Sequence, residues 1–146
     1  ETLPGIVGMG AAISAAVAEL AAGRWEEIAQ FRNILENALE AASKETIFVG
    51  KGADRLPNTT CFVTPGWKGE TQVMAMDLAG FAISAGSACS SGKVTESRVL
   101  RALGFDAGAA GCATRVSLGP GTTQEDVLRF ADVWAEKLRK HRARAA

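Results

Sequence analysis

Thr59–Thr64 reads TTCFVT, two threonines ahead of a cysteine, a phenylalanine, a valine and a third threonine. Such β-branched and aromatic runs suit a pleated, half-buried strand. RLPN (Arg55–Asn58) precedes it and PGWKGE (Pro65–Glu70) follows it, both rich in turn formers. The run decides the fold because the sequence ahead of it has the other period. Ile6, Met9, Ile13, Ala16, Val17 and Leu20 recur at helical spacing after Pro4-Gly5, and Gly23 follows as a C-terminal cap. Trp25, Ile28, Phe31, Leu35, Ala38, Leu39 and Ala42 repeat the pattern, and the short Ala-Gly-Arg link turns the second helix back on the first. The reading is a helical hairpin over residues 5–44, with the helical period giving way to sheet from residue 45.

Beyond the hairpin, TIFVG (Thr46–Gly50) is a strand ahead of TTCFVT, and ETQVMAMDLAG (Glu70–Gly80) is a helix closed by glycine. FAIS (Phe81–Ser84) reads as a strand, TESRVLRALG (Thr95–Gly104) as a helix and TRVSLG (Thr114–Gly119) as a last strand. After Pro120-Gly121, Thr123 and Asp126 have capping-box spacing. Val127, Ala131, Trp134 and Leu138 then line one face of a closing helix whose basic end suits the macrodipole. The order ααββαβαβα predicts a small α/β sandwich over residues 45–142, a short sheet covered by helices. Whether that sheet is mixed or antiparallel stays open.

Composition bounds the function. The chain has 146 residues, 47% of them hydrophobic, enough for one domain with its own core. Lys+Arg 16 balances Asp+Glu 16, so no long-range field draws the chain to nucleic acid or to an anionic membrane. Cys61, Cys89 and Cys112 are an odd number without a CxxC, and His141 is the only histidine. That argues against a disulfide framework and a zinc site, and fits a reducing cytoplasm. No apolar run is read as reaching a membrane span and no signal peptide precedes the domain, so the expectation is a soluble intracellular protein. Glu1 leads directly into LPGIVGMGAA, read as the start of a packed helix, which suggests a piece of a longer protein.

GSACSSGK (Gly86–Lys93) carries the chemistry and has two readings. A phosphate cradle needs G-x-x-x-x-G-K-[ST], whose span curves backbone N–H groups inward and whose hydroxyl holds magnesium. Here Gly86 and Gly92 enclose five residues and Val94 follows Lys93, so both requirements fail. The other reading is a thiol: Gly, Ser and Ala around Cys89 offer no bulk to bury sulfur, and the segment lies between a strand and a helix. A thiol so placed can travel to a substrate, although a solvated connector with an incidental cysteine fits the same residues. Cys61, beside Phe62 and Val63 in a strand, and Cys112, beside Gly111, are assigned to core or near-core packing. Arg115 sits in a short strand with Val116 and Leu118 on the opposite side, so its guanidinium shares a face with Ser117. A guanidinium grips a carboxylate with two parallel hydrogen bonds, but an edge-strand arginine turned to water fits the residues at least as well.

Taken together, SAGSACSSGKVTESRVLRALGF, TRVSLGPGTTQEDV, RLPNTT and LPGIVGMGAA resemble, in order and over essentially the whole chain, the C-terminal part of cysteine desulfurases of the NifS/IscS type, in the class V aminotransferase group. The resemblance implies the small C-terminal domain of a fold-type I pyridoxal-phosphate enzyme that converts L-cysteine to L-alanine. It implies that Cys89 is the nucleophile that takes the substrate sulfur as a persulfide, the thiolate being the attacking species. It also implies that Arg115 binds the substrate carboxylate. The family's Schiff-base lysine, the histidine over the ring, the aspartate at the pyridine nitrogen and most phosphate contacts belong to the N-terminal domain, and no matching motif occurs here. Lys93 is not that lysine. No cofactor-binding residue is therefore expected in this chain, and no metal site beyond a transient role for Cys89 when a cluster scaffold shares it. The serine-rich loop follows the housekeeping and nitrogen-fixation branch, which implies an iron–sulfur scaffold protein as acceptor, a homodimer at full length, and a fragment inactive by itself. A sulfur-carrier or scaffold-docking module without chemistry, and another class V enzyme such as a selenocysteine lyase, are the alternatives.

Overall fold

A computed structural model describes residues 2–85 and 97–145. Two long helices come first, α1 (Leu3–Ala21) and α2 (Arg24–Ala42). Gly23 between them has φ 75°, the left-handed conformation in which a side chain is strained, so the tight reversal depends on glycine there. None of the residues of α1 is buried, and Ile6, Met9, Ile13, Val17 and Leu20 all stand exposed. This corrects the expectation of a packed first helix: periodicity marks a face able to be covered, not the presence of a cover. A second correction concerns length. Over its 19 residues α1 carries one charge, Glu19, and glycine and alanine do not interrupt its apolar character, so by length and composition it is long enough to cross a membrane.

The sheet is antiparallel throughout, which settles the choice left open by the sequence. Its strands β1 (Ile47–Phe48), β2 (Thr59–Val63), β3 (Ser84–Ala85) and β4 (Ala113–Ser117) lie in the order β1-β2-β4-β3. Alternation along β2 and β4 sends Thr60, Phe62, Thr114 and Val116 to one side, where all four are buried. There α2, α3 (Gly69–Asp77) and α6 (Gln124–Ala145) pack against them, with Ile28, Leu35, Leu39, Trp67, Met76 and Trp134 filling the core. The Val127, Ala131, Trp134 and Leu138 stripe of α6 is buried along its length. The capping box forms as the spacing predicts: Thr123 N–H donates to Asp126 Oδ2 at 3.0 Å, and Asp126 N–H donates back to Thr123 Oγ1 at 3.2 Å.

Gln72 ties this layer together from inside. Its Nε2 donates to the Trp67 carbonyl at 2.9 Å and the Cys112 carbonyl at 3.3 Å, while its Oε1 accepts from Trp134 Nε1 at 3.2 Å and Thr114 Oγ1 at 3.4 Å. A fully buried amide is tolerable because every polar atom is so engaged. Gly69, at the start of α3, lies so close to β4 that a Cβ there would meet the Ala113 carbonyl oxygen at 2.4 Å. Helix and sheet touch through bare backbone at this point.

Two elements differ from the sequence reading. The third strand is Ser84–Ala85 rather than Phe81–Ser84, because Phe81 N–H closes the end of α3 by donating to the Met76 carbonyl at 2.9 Å. The Phe81 ring packs edge-on against Phe130, with centroids 5.3 Å apart. In addition α4 (Arg98–Ala102) is followed by a short helix, α5 (Ala107–Gly111), giving ααββαβααβα. Ala-Gly-Ala-Ala-Gly has no amphipathic signal; α5 is begun by Asp106, whose side chain accepts from Ala109 N–H at 2.8 Å. Leu100 of α4 and Ala110 of α5 cover the second face of the sheet only at its Val63 and Ala113 end.

Candidate functional site

Among the described residues no helix covers the rest of that second face, and Arg115 stands in the middle of it. In the register of the antiparallel ladders Arg115 faces Cys61 on β2 and Ser84 on β3, and Thr59 pairs with Ser117 one step along. Directly opposed residues share a face, so the row Cys61, Arg115, Ser84 runs straight across three strands. Val116 and Leu118 are buried on the other side while Arg115 and Ser117 are exposed. Arg115 makes no hydrogen bond or ion pair among the described residues, which leaves its five N–H donors available to a ligand. A central strand is an uncommon place for an uncompensated guanidinium. Cross-strand cysteine and serine, both small, leave it room.

Of the two cysteines assigned to core or near-core packing, Cys61 is half-buried on this face and Cys112 is buried, beside Val63 and Leu100. Burial pushes the Cys61 thiol above its ordinary range, and the Arg115 charge opposes that shift without cancelling it. Cys61 is thus mainly a neutral thiol at neutral pH, whose role on this face is steric and weakly polar. Cys89 and the whole Gly86–Lys93 segment lie outside the described residues. The chain leaves β3 at Ala85, paired with Thr114 directly beside Arg115, and returns at Ser97, whose Oγ accepts from Leu100 N–H to start α4. The segment carrying Cys89 therefore begins two residues beyond Ser84 of the Arg115 row.

The sheet positions sharing the Arg115 face, Ile47, Thr59, Cys61, Val63, Ser84, Ala113 and Ser117, include neither a lysine nor a carboxylate. Among the described residues nothing on this face can form a Schiff base with pyridoxal phosphate or hold its pyridine nitrogen, so these residues do not fit a cofactor site of their own. What they offer is a single cationic group able to pair with an anion. Among the described residues no cluster of three or more His, Cys, Asp or Glu side chains is arranged to hold a metal ion.

A second polar constellation escaped sequence reading. Glu36 of α2, its side chain 2% exposed, accepts from Arg55 through both oxygens, at 2.6 and 2.8 Å, and from Thr60 Oγ1 at 2.6 Å. Burial pushes the Glu36 carboxyl up, but the hydrogen bonds from Arg55 and Thr60 and the charges of Arg55 and Arg32 together hold it below the usual carboxylate range. Arg32 in turn donates to the Leu56 carbonyl at 2.7 Å. The cluster fastens the Arg55–Asn58 turn to α2, and Asn58 Nδ2 donates to the Leu118 carbonyl at 3.1 Å, so the entry to β2 and the exit of β4 are locked in register. In sequence Glu36 is one more polar residue of a helix; only the pairing of β2 brings Thr60 beneath it.

The described residues thus form a small antiparallel sheet covered by helices on one face, with an arginine that has no partner among them on the other. The chain belongs to the aminotransferase class-V family, whose model matches residues 1–130. It is 39% identical over 134 residues to a cysteine desulfurase of Cereibacter sphaeroides, covering 91% of this chain and 33% of that protein. It is 33% identical over 142 residues to the cysteine desulfurase IscS of Dictyoglomus turgidum, covering 97% of this chain and 36% of that protein. Among solved structures a NifS-like protein superposes with a TM-score of 0.80 at 27% identity, over 95% of this chain and 34% of the other. The chain spans about a third of the length of these relatives.

Proposed function

We propose that this chain is the C-terminal domain of a pyridoxal-phosphate-dependent cysteine desulfurase, with Arg115 as the group that binds the carboxylate of L-cysteine and Cys89 as the residue that takes its sulfur. The observation that carries the reading is the exposed guanidinium of Arg115, without a partner among the described residues, opposite Ser84 and so two residues from the start of the Cys89 segment. A planar guanidinium binds a carboxylate through two parallel N–H donors, which fixes both position and rotation of a small amino acid. The half-buried, neutral Cys61 and the Ser84 hydroxyl flank it without competing as anions. Bound this way, the substrate directs its side chain away from the sheet.

In this reading the cofactor, when bound, supplies the electron sink that weakens the bond between substrate carbon and sulfur, and it is held by the two-thirds of the relatives' length that this chain does not span. The contribution of this chain is to orient the carboxylate and to present a thiolate. The Cys89 thiolate attacks the substrate sulfur; a sulfur–sulfur bond forms as the carbon–sulfur bond breaks, leaving alanine and a cysteine persulfide. Glycine and serine around Cys89 suit a residue that must meet the substrate and afterwards an acceptor, proposed as an iron–sulfur scaffold protein in the cytoplasm, with the full-length enzyme a homodimer.

The test is alanine formation from L-cysteine by the full-length protein and its Cys89→Ser and Arg115→Gln variants. The reading predicts loss of turnover in the first and weakened substrate binding in the second. Unchanged turnover in Cys89→Ser contradicts it.

A further inference from the structure

On the opposite side of the sheet from Arg115, α3 and the C-terminal half of α6 leave a cavity of about 330 Å³ between them. Its floor is aromatic: the His141 imidazole stacks on Trp67 with centroids 5.4 Å apart and planes 18° from parallel, and His141 Nε2 lies 3.0 Å from the Gly66 carbonyl oxygen. Its rim is cationic, formed by Lys137, Lys140 and Arg144 of α6, and among the described residues no aspartate or glutamate lines it. Lys140 pairs with Glu136 on the outer surface of the helix, whereas Lys137 and Arg144 have no ion-pair partner among the described residues. Leu78, 87% exposed, stands at the α3 edge, and Met74 one turn back on the same helix is also exposed. Like charges gathered around an apolar hollow repel one another and expose apolar surface, and one ligand relieves both costs.

The geometry points to this cavity as a docking site for a protein segment that carries acidic side chains next to a large apolar one. The apolar side chain enters against the Trp67–His141 stack and Leu78, and the carboxylates pair with Lys137 and Arg144. A volume near 330 Å³ holds one or two side chains, and the open ends along α3 and α6 let a chain continue past it. The hollow is concave, so its stacked rings are recessed from a flat lipid surface, which favours a peptide over a bilayer. This inference is independent of the Arg115 and Cys89 assignment, since it concerns the other face of the sheet.

The experiment titrates this chain with an acetylated, amidated hexapeptide Asp-Glu-Leu-Phe-Asp-Glu and follows the ring protons of His141, the only histidine, by NMR. Controls are the Asn/Gln version of the peptide, inorganic phosphate, and vesicles containing phosphatidylglycerol. Expected are saturable His141 shifts, at least tenfold weaker binding of the neutral peptide, and at least fivefold weaker binding to the Lys137→Gln/Arg144→Gln and Leu78→Asp variants, both surface changes compatible with folding. Three results overturn the proposal: no His141 shift at millimolar peptide, shifts of equal size and affinity with phosphate, or sedimentation with vesicles in preference to peptide binding.

Discussion

Arg115 and Cys61 stand directly opposite one another on β4 and β2, on the face of the sheet turned away from Trp134. One is a permanent charge open to solvent and the other a half-buried thiol whose ionisation that charge assists. Their pairing makes the face both accessible and electropositive.

If Arg115 grips the substrate carboxylate, its replacement by glutamine removes a charge-assisted pair worth about 1.5–3 kcal/mol. In the full-length protein Arg115→Gln is expected to raise KM for L-cysteine by about ten- to a hundredfold. Arg115→Lys, which keeps the charge without the fork, should fall between. Steady-state alanine formation measures both.

Cys61 is expected to react with iodoacetamide along a pH profile whose midpoint lies above the ordinary thiol value of 9.0, because burial raises it more than Arg115 lowers it. Arg115→Gln should move that midpoint higher still. Mass spectrometry of the Cys61 peptide over a pH series reads the shift, and a midpoint at or below 9.0 contradicts the geometry.

The Glu36 carboxyl has a lower pKa in the folded state than in the unfolded one, so the folded state favours its ionised form. Its contribution is complete above the ordinary value of 4.5 and is lost as pH falls through the depressed folded value. Denaturation midpoints should therefore drop as pH is taken below 4.5, and Glu36→Gln should flatten part of that drop. At neutral pH the same variant removes the charge paired with Arg55 and one of the two oxygens that accept from Arg55 and Thr60, and should cost about 3 kcal/mol. Urea unfolding at several pH values separates the two effects.

Gly69→Ala places a Cβ against the Ala113 carbonyl oxygen, at 2.4 Å, and the Ala85 Cβ, at 3.0 Å. Since the first of these is backbone, α3 must move off the sheet, at a cost of about 1–3 kcal/mol. Calorimetry should show a lowered Tm, while Gly50→Ala in an open turn tests backbone conformation without the clash, its φ being 70°.

Much of this was legible in the sequence because local chemistry declared it. The α6 stripe, the Thr123 and Asp126 box and the Val116 and Leu118 side of β4 follow from spacing, and the structure has each of them. Strand order, the Cys61–Arg115–Ser84 row and the Glu36–Arg55–Thr60 cluster join residues far apart in the chain, so nothing local signals them. Phe81 read as strand because its ring suits one, but its N–H closes α3. The α1 reading failed differently: an apolar period cannot say what covers it.

The central claim is that the sulfur of L-cysteine passes to Cys89. One turnover of the full-length protein with L-cysteine, followed by alkylation, digestion and mass spectrometry, tests it most directly. The account predicts a Cys89 peptide heavier by one sulfur atom, with Cys61 and Cys112 peptides unchanged. Alanine formed with the added sulfur on Cys61, or on no cysteine of this chain, contradicts it.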